Sequence, residues 1–164
     1  MAQESLIPDE TRAVIGSVTS GPVSGTITKK EAQRYAYAVD DLNPLYFDED
    51  LARANGYKGL LAPPTFVGQV VVQHRPVADL REDGIFRGGA RVNLRVKRVM
   101  FGGEEWDFVT PAYVGDTITA ETRLKSLEEK QGNSGPFVLT TNETTYTNQH
   151  GEVVARTRQL SIAR

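Results

Sequence analysis

The chain changes its apolar period partway along, and that change limits the folds open to it more than any other feature. Val92, Leu94 and Val96 alternate with Arg91, Asn93, Arg95 and Lys97, the period of a half-buried strand. Upstream, Ala32, Tyr35, Ala36 and Val39 stand at i, i+3, i+4 and i+7, one stripe of an amphipathic helix. Helices first and a long antiparallel meander afterwards predict an α+β protein, with helices on one face of a strongly curved sheet. A length of 164 residues suits a single domain over residues 1–164 with one core.

Local signals place the elements. Thr28-Lys29-Lys30-Glu31 has capping-box spacing, so a helix starts there; it should end near Asp40-Asp41, before the Asn43-Pro44 turn. A shorter helix follows, capped by Asp48, with Leu51 and Ala54 facing inward and Gly56 as its left-handed C-terminal residue. Residues 1 to 27 carry Pro8, Gly16, Gly21, Pro22 and Gly25 and read as loops with one short strand around Val14-Ile15. The run from Leu60 through Pro63-Pro64 to Gln73 is apolar on nearly all sides. The prolines suit the start of a buried helix, Val70-Val71-Val72 would equally suit a strand, and periodicity alone does not decide. Gly102-Gly103 reads as a hairpin turn into a strand over Glu104 to Phe108. Further strands run through Ile118, Ala120 and Leu124, then Phe137 to Thr147, then Val153 to Ile162. A loop at Gly132 to Pro136 and a turn at Asn148 to Gly151 separate them.

Composition excludes several classes. A formal net charge of -2 argues against a nucleic-acid surface, which carries a basic excess. No cysteine is present, which removes disulfides, thiolate nucleophiles and zinc-thiolate sites and fits a reducing compartment. With two histidines far apart and carboxylates scattered, no metal site is expected, and no Gly-rich phosphate loop follows a strand, so no cofactor is expected either. Met1 to Ser5 show no basic segment leading into an apolar stretch, and no run reaches the ~20 apolar residues that span a bilayer. The expectation is a soluble cytoplasmic protein with no nucleic-acid or membrane partner.

The specific signal is Asp41-Leu42-Asn43-Pro44-Leu45-Tyr46, which resembles the Asp-x-Asn-Pro-x-His motif of MaoC-like (R)-specific enoyl-thioester hydratases. Ala52 to Phe66, ending in Gly59-Leu60-Leu61-Ala62-Pro63-Pro64-Thr65-Phe66, is similar to the N-terminal dehydratase domains of that superfamily. It also resembles the non-catalytic subunits of heterodimeric bacterial β-hydroxyacyl-ACP dehydratases. Tyr113-Val114-Gly115-Asp116, Tyr146 to Gln149 and Gly151 to Ala155 resemble later segments of the same domains, so the likeness covers roughly residues 10 to 164. Short motifs are weak singly and strong in the right order. The resemblance implies a hot-dog fold, a curved antiparallel sheet wrapped around a central apolar helix. It also implies handling of an acyl-CoA or acyl-carrier-protein thioester.

In that family an Asp and a His add water across the 2-enoyl thioester, and a backbone N–H entering the buried helix holds the developing oxyanion. Residue by residue, Asp41 stands at the family's Asp, and Asn43 and Pro44 match the turn. Tyr46 takes the place of the His, and a phenol with a pKa of about 10 is a poor base at neutral pH. Pro64 falls where the family's Gly supplies the N–H, and proline has none. The catalytic candidates Asp41, Asn43 and Tyr46 therefore form a degenerate dyad. The resemblance implies an acyl-binding subunit whose partner, a second MaoC-like hot-dog chain, keeps the Asp and His.

Tyr57, Pro64, Thr65 and Phe66 are substrate-binding candidates; for Tyr57, Thr65 and Phe66, plain core packing explains the residues equally well. Asp41 also suits a helix-end carboxylate, and Tyr46 a packed aromatic with a satisfied hydroxyl. His74 suits a helix C-terminus and His150 a solvent-facing turn. Arg87, Arg91, Arg95, Lys97 and Arg98 suit either the phosphates of coenzyme A or the solvated face of a strand. Two rival functions remain open: a self-sufficient homodimeric hydratase using Asp41, and an acyl-thioester binding module without chemistry. Acyl chain length and reaction direction lie beyond a single sequence.

Overall fold

The computed structural model describes residues 4–72, 76–80, 82, 92–96 and 98–164. In chain order these hold helix α1 (Asp9–Arg12), strand β1 (Val18–Thr26), helices α2 (Lys29–Ala38), α3 (Glu49–Ala54) and α4 (Phe66–Val70), and strands β2 (Val99–Phe108), β3 (Thr117–Gly132), β4 (Gly135–Thr147) and β5 (Val153–Ala163). The strands form one antiparallel sheet in the order β1-β3-β4-β5-β2, so β3, β4 and β5 make the meander while β1 and β2 close its two edges. The helices pack on this sheet, which is the α+β hot-dog arrangement.

Thr28 caps the helix as the spacing predicts, its Oγ1 accepting from the Glu31 N–H, while the Glu31 carboxylate reaches back to accept from the Thr28 hydroxyl. Ala32 and Ala36 are buried on the predicted stripe, whereas Val39, at the C-cap, is 50% exposed. In α3, capped by Asp48 as expected, the inward residue is Ala52, and both Leu51 and Ala54 are exposed. So short a helix takes its facing from contacts beyond itself: the Ala52 carbonyl accepts from the Tyr57 N–H of the returning chain. Gly56 follows α3 at φ 87°, as expected.

Three further expectations are corrected. Val14 and Ile15 lie exposed in a turn after α1, and the strand begins at Val18; Gly16, at φ 86°, carries the turn into it. Val92, Leu94 and Val96 do alternate inward, but they form no ladder. They strap over a core of Ile7, Leu124, Leu127, Val138 and Ala163, tied by Arg95 N–H to the Leu6 carbonyl. Gly102 and Gly103 sit inside β2, where the register with β5 shifts between Phe101 and Gly103, and φ is 130° at Gly103. They make a bulge and not a hairpin. The run from Leu60, left open between helix and strand, holds a helix of five residues, beyond which Val72 is exposed; Val70 ends that helix and starts no strand. His74, Arg87, Arg91 and Lys97 lie outside the described residues.

The main core forms where the helices meet the sheet. Phe66 and Val67 of α4 pack on Ile118 and Ala120 of β3, Tyr146 of β4 and Val154 of β5, with Ile27 and Ala32 closing the side. A bulge between Leu124 and Ser126 of β3 re-phases the strand, so that Leu124 and Leu127, three apart, are both buried. Among the described residues no helix is long and apolar enough to cross a membrane.

Candidate functional site

The loop after α2 is built by its own short-range hydrogen bonds. Asp40 takes φ 57°, and the Asp41 N–H donates to the Ala36 carbonyl at 3.0 Å, turning the chain sharply off the helix end. Asn43 Oδ1 then accepts from the Leu45 N–H at 3.1 Å and caps a single 3₁₀ turn, Pro44–Tyr46. The Asn-Pro pair is thus the device that drives Tyr46 inward, to 6% exposure. Gln33 of α2 fixes the turn from behind, its Nε2 donating to the Tyr46 carbonyl at 3.1 Å.

Tyr46 and Asp41 face each other directly: the phenol donates to Asp41 Oδ2 at 3.1 Å. Burial pushes the Tyr46 hydroxyl up to about 12, and the Asp41 carboxylate adds to the shift, as hydrogen-bond acceptor and as a neighbouring negative charge. At neutral pH Tyr46 is therefore a protonated donor spending its proton on Asp41, the opposite of a general base.

A mostly apolar cavity of about 330 Å³ opens beside this pair. Asn43, Tyr46, Tyr57 and Pro64 line it together with Leu61, Ala62 and Val67; the facing wall is Phe108 to Ala112 and the Val154-Ala155 pair of β5. This size falls in the range of small-molecule sites. Asp41 is not on the wall; its charge meets the cavity through Tyr46. Pro64 lines the cavity, and its ring nitrogen carries no hydrogen to donate. Thr65 and Phe66 are one step off the wall. Thr65 is exposed with its hydroxyl 2.9 Å from that of Tyr35, and Phe66 is buried against the Tyr35 ring at 5.3 Å. The structure thus gathers four of the candidates, Asn43, Tyr46, Tyr57 and Pro64, at one cavity, with Asp41 directly behind. The wall from Phe108 to Ala112 and from Val154 to Ala155 carries no local signal in the sequence. It exists because β2 pairs with β5 in a register that sets Phe108 beside Ala155.

The Asp41–Tyr46 bond has a testable pH signature. Tyr46 ionises near the ordinary value of about 10 in the unfolded chain and near 12 in the fold, so the fold holds the neutral phenol. That contribution is fully present below pH ~10 and is lost as pH rises through 10 to 12, on the order of 2 kcal/mol. Denaturant melts of the wild type and Tyr46→Phe between pH 9 and 12 should show the wild type losing this amount relative to the variant. A difference that stays constant across that range would show that the phenol is not held in this way.

Comparisons with known proteins bear on the family and the fold. "UPF0336 protein" from Streptomyces griseus is 28% identical over 107 residues, 65% of this chain, and the chain spans 66% of that relative's length. "UPF0336 protein ML1910" from Mycobacterium leprae is 26% identical over 147 residues, covering 90% of this chain and 85% of the relative. Among solved structures, a chain of the ChsH1-ChsH2 complex from Mycobacterium tuberculosis superposes with TM-score 0.71 at 18% identity, covering 93% of this chain and 90% of that one. A chain of the HadBC (3R-hydroxyacyl-ACP dehydratase) complex from the same organism gives 0.64 at 21%, covering 91% and 96%. The (R)-hydratase from A. caviae involved in PHA biosynthesis gives 0.63 at 18%, covering 90% and 94%. These likenesses establish the hot-dog fold shared with MaoC-like dehydratases. Residues 13–157, most of the chain, match the FAS1-like dehydratase domain region, and the chain belongs to that family.

Proposed function

We propose that this chain is the acyl-holding, non-catalytic subunit of a heteromeric (R)-specific 2-enoyl-CoA hydratase or 3-hydroxyacyl-thioester dehydratase. Its partner is a second hot-dog subunit that brings the Asp and His. One observation carries the reading: the cavity at the family's catalytic loop is lined by a protonated phenol already bonded to Asp41 and by an N–H-less Pro64. It has the shape and apolar wall for an acyl thioester, without the base or the amide donor that the chemistry needs.

Two further features support a partner. Among the described residues strand β2 is paired on one side only, by β5, and along and beside it Val99, Phe101, Phe108 and Val109 are exposed, Phe101 at 68%. An open edge bearing large apolar side chains suits pairing with another sheet. The ChsH1-ChsH2 and HadBC structures are each complexes of two different subunits.

The test is an assay of the purified protein on crotonyl-CoA and longer enoyl-CoAs, alone and mixed with a MaoC-like subunit that has an intact Asp and His. The expected result is no robust turnover alone, co-elution with the partner, and a mixture more active than the partner by itself. Robust turnover by the lone chain would overturn the accessory role.

A further inference from the structure

A second cavity, larger and more polar, lies next to the first along the same stretch of chain. It encloses about 540 Å³, and Lys29, Glu49, Arg53, Lys58, Gln149 and His150 stand on its walls. We infer that it is an anion site that takes the phosphates of coenzyme A while the acyl thioester occupies the apolar cavity. The inference rests on the acyl-thioester reading above and adds which carrier that reading serves.

The charge balance favours an anion. Arg53 is paired with Glu49 at 2.6 Å, so these two cancel. The buried Asp116 is held in place, its two oxygens accepting from the Tyr113 N–H at 2.8 Å and from Gln149 Nε2 at 2.9 Å, and it keeps one negative charge on the wall. That leaves Lys29 and Lys58, neither of which has a carboxylate within salt-bridge distance among the described residues. Lys58 is held in place by the Tyr113 ring, its Nζ 4.5 Å from the centroid. Lys29 opens α2, whose positive end adds to the same field. Gln149 Nε2 also lies 3.1 Å from His150 Nε2, which keeps the imidazole at the rim as a further polar group. Lys29, Arg53 and Lys58 against Glu49 and Asp116 leave the walls with one net positive charge, and the two ammonium groups, without a carboxylate partner among the described residues, suit a ligand with more than one phosphate oxygen to offer.

Position links the two cavities. The segment from Leu60 to Ala62 lies against Ala112 to Val114, through Ala62 N–H to the Ala112 carbonyl at 2.9 Å, a bridge of Leu61 with Tyr113, and Val114 N–H to the Leu60 carbonyl at 3.0 Å. Tyr57, Leu61 and Ala62 line the apolar cavity, while Lys58, Gly59 and Leu60 line the polar one. Leu60 and Leu61, neighbours in the chain, thus stand one on each wall, and the two cavities adjoin across this segment. The pantetheine arm of coenzyme A would run between them, with the thioester at one end and the phosphates at the other.

The probes are adenosine 3′,5′-bisphosphate, which has the phosphates without an acyl arm, and crotonyl-N-acetylcysteamine, which has the thioester without phosphates. Both are titrated into the wild-type chain and into Lys29→Glu/Lys58→Glu; both lysines are exposed, so the variant should keep its fold, which a melt verifies. The expected result is that the bisphosphate binds the wild type and binds the variant at least about tenfold more weakly. The phosphate-free thioester should bind both equally. A bisphosphate that does not bind, or binds both proteins alike, overturns the inference. So does an acidic carrier protein that needs the two lysines when the bisphosphate does not. Failure of the phosphate-free thioester to bind, with the bisphosphate still lysine-dependent, counts against the acyl-thioester reading and leaves the anion site standing.

Discussion

Tyr46→His should turn the isolated chain from an idle cavity into a slow hydratase, raising crotonyl-CoA hydration by about 10²-fold or more, the lower end of what a positioned acid/base group supplies. The physical case begins with the hydrogen bond between Tyr46 and Asp41. The phenol is pushed up to about 12 and is locked as a donor, so no proton can be taken by it at neutral pH. An imidazole at the same Cα keeps the Asp41 carboxylate as its orienting partner and has a pKa near neutrality. It is also shorter than a phenol. The volume vacated by the phenol oxygen lies beside the Asp41 carboxylate, where a water molecule can sit between the two groups. Adding Pro64→Gly restores a backbone N–H on the same wall and should contribute about a further 10²-fold as an oxyanion donor. The measurement is loss of the enoyl absorbance with each single variant and the double variant, after circular dichroism has shown all three folded. If the folded double variant shows no gain, the cavity is not where a thioester reacts, and the reading of this loop as a lapsed dyad is wrong.

What could be read from the sequence divides by the range of the interaction that fixes each feature. Thr28 and Glu31, or Asn43 and Leu45, settle their geometry within three residues, so the helix start and the turn that aims Tyr46 are legible in order and spacing. The alternation of β3, β4 and β5 is legible for a similar reason, since inward and outward faces repeat locally. Elements fixed by distant partners are not. Val92 to Val96 alternates like a strand, yet whether a neighbouring chain supplies a ladder is decided elsewhere, and here the neighbour is the Leu6 segment and not a sheet. Gly102-Gly103 has the composition of a hairpin turn, but the register with Leu160 makes it a bulge. Half of the apolar cavity, the Phe108 to Ala112 and Val154-Ala155 wall, comes from the pairing of β2 with β5. The polar cavity joins residues as far apart as Lys29 and His150. The Asp41 loop could be found by motif because all of its parts lie within six residues.

Gly25→Ala should destabilise the protein by about 3 kcal/mol or more, although a glycine within a strand ordinarily argues for the opposite sign. Gly25 lies in a strand, where glycine is entropically poor. At an unstrained site, replacement by alanine usually stabilises by ~0.4–1 kcal/mol through the unfolded chain. The structure reverses this. A Cβ built at Gly25 would lie 2.0 Å from the Val70 carbonyl oxygen and 2.9 Å from its carbon. Both are backbone atoms at the end of α4, so no side-chain rotation relieves the clash. Either α4 must lift, pulling Phe66 and Val67 from the core, or β1 must move off β3 at the pair Gly25–Ile118, where Ile118 is fully buried. Gly59→Ala is the matched control: its added Cβ would meet nothing nearer than the Glu49 carboxylate at 4.0 Å, and its stability should change by less than about 0.5 kcal/mol. For a chain of this length the Gly25 variant should melt roughly 6–12 °C lower, with a lower denaturant midpoint at unchanged slope. Equal midpoints for Gly25→Ala and the wild type would mean that β1 and α4 do not approach as closely as the fold requires. The site would be affected with the core, because α4 carries Val67 and follows directly on Pro64, two residues of the apolar wall.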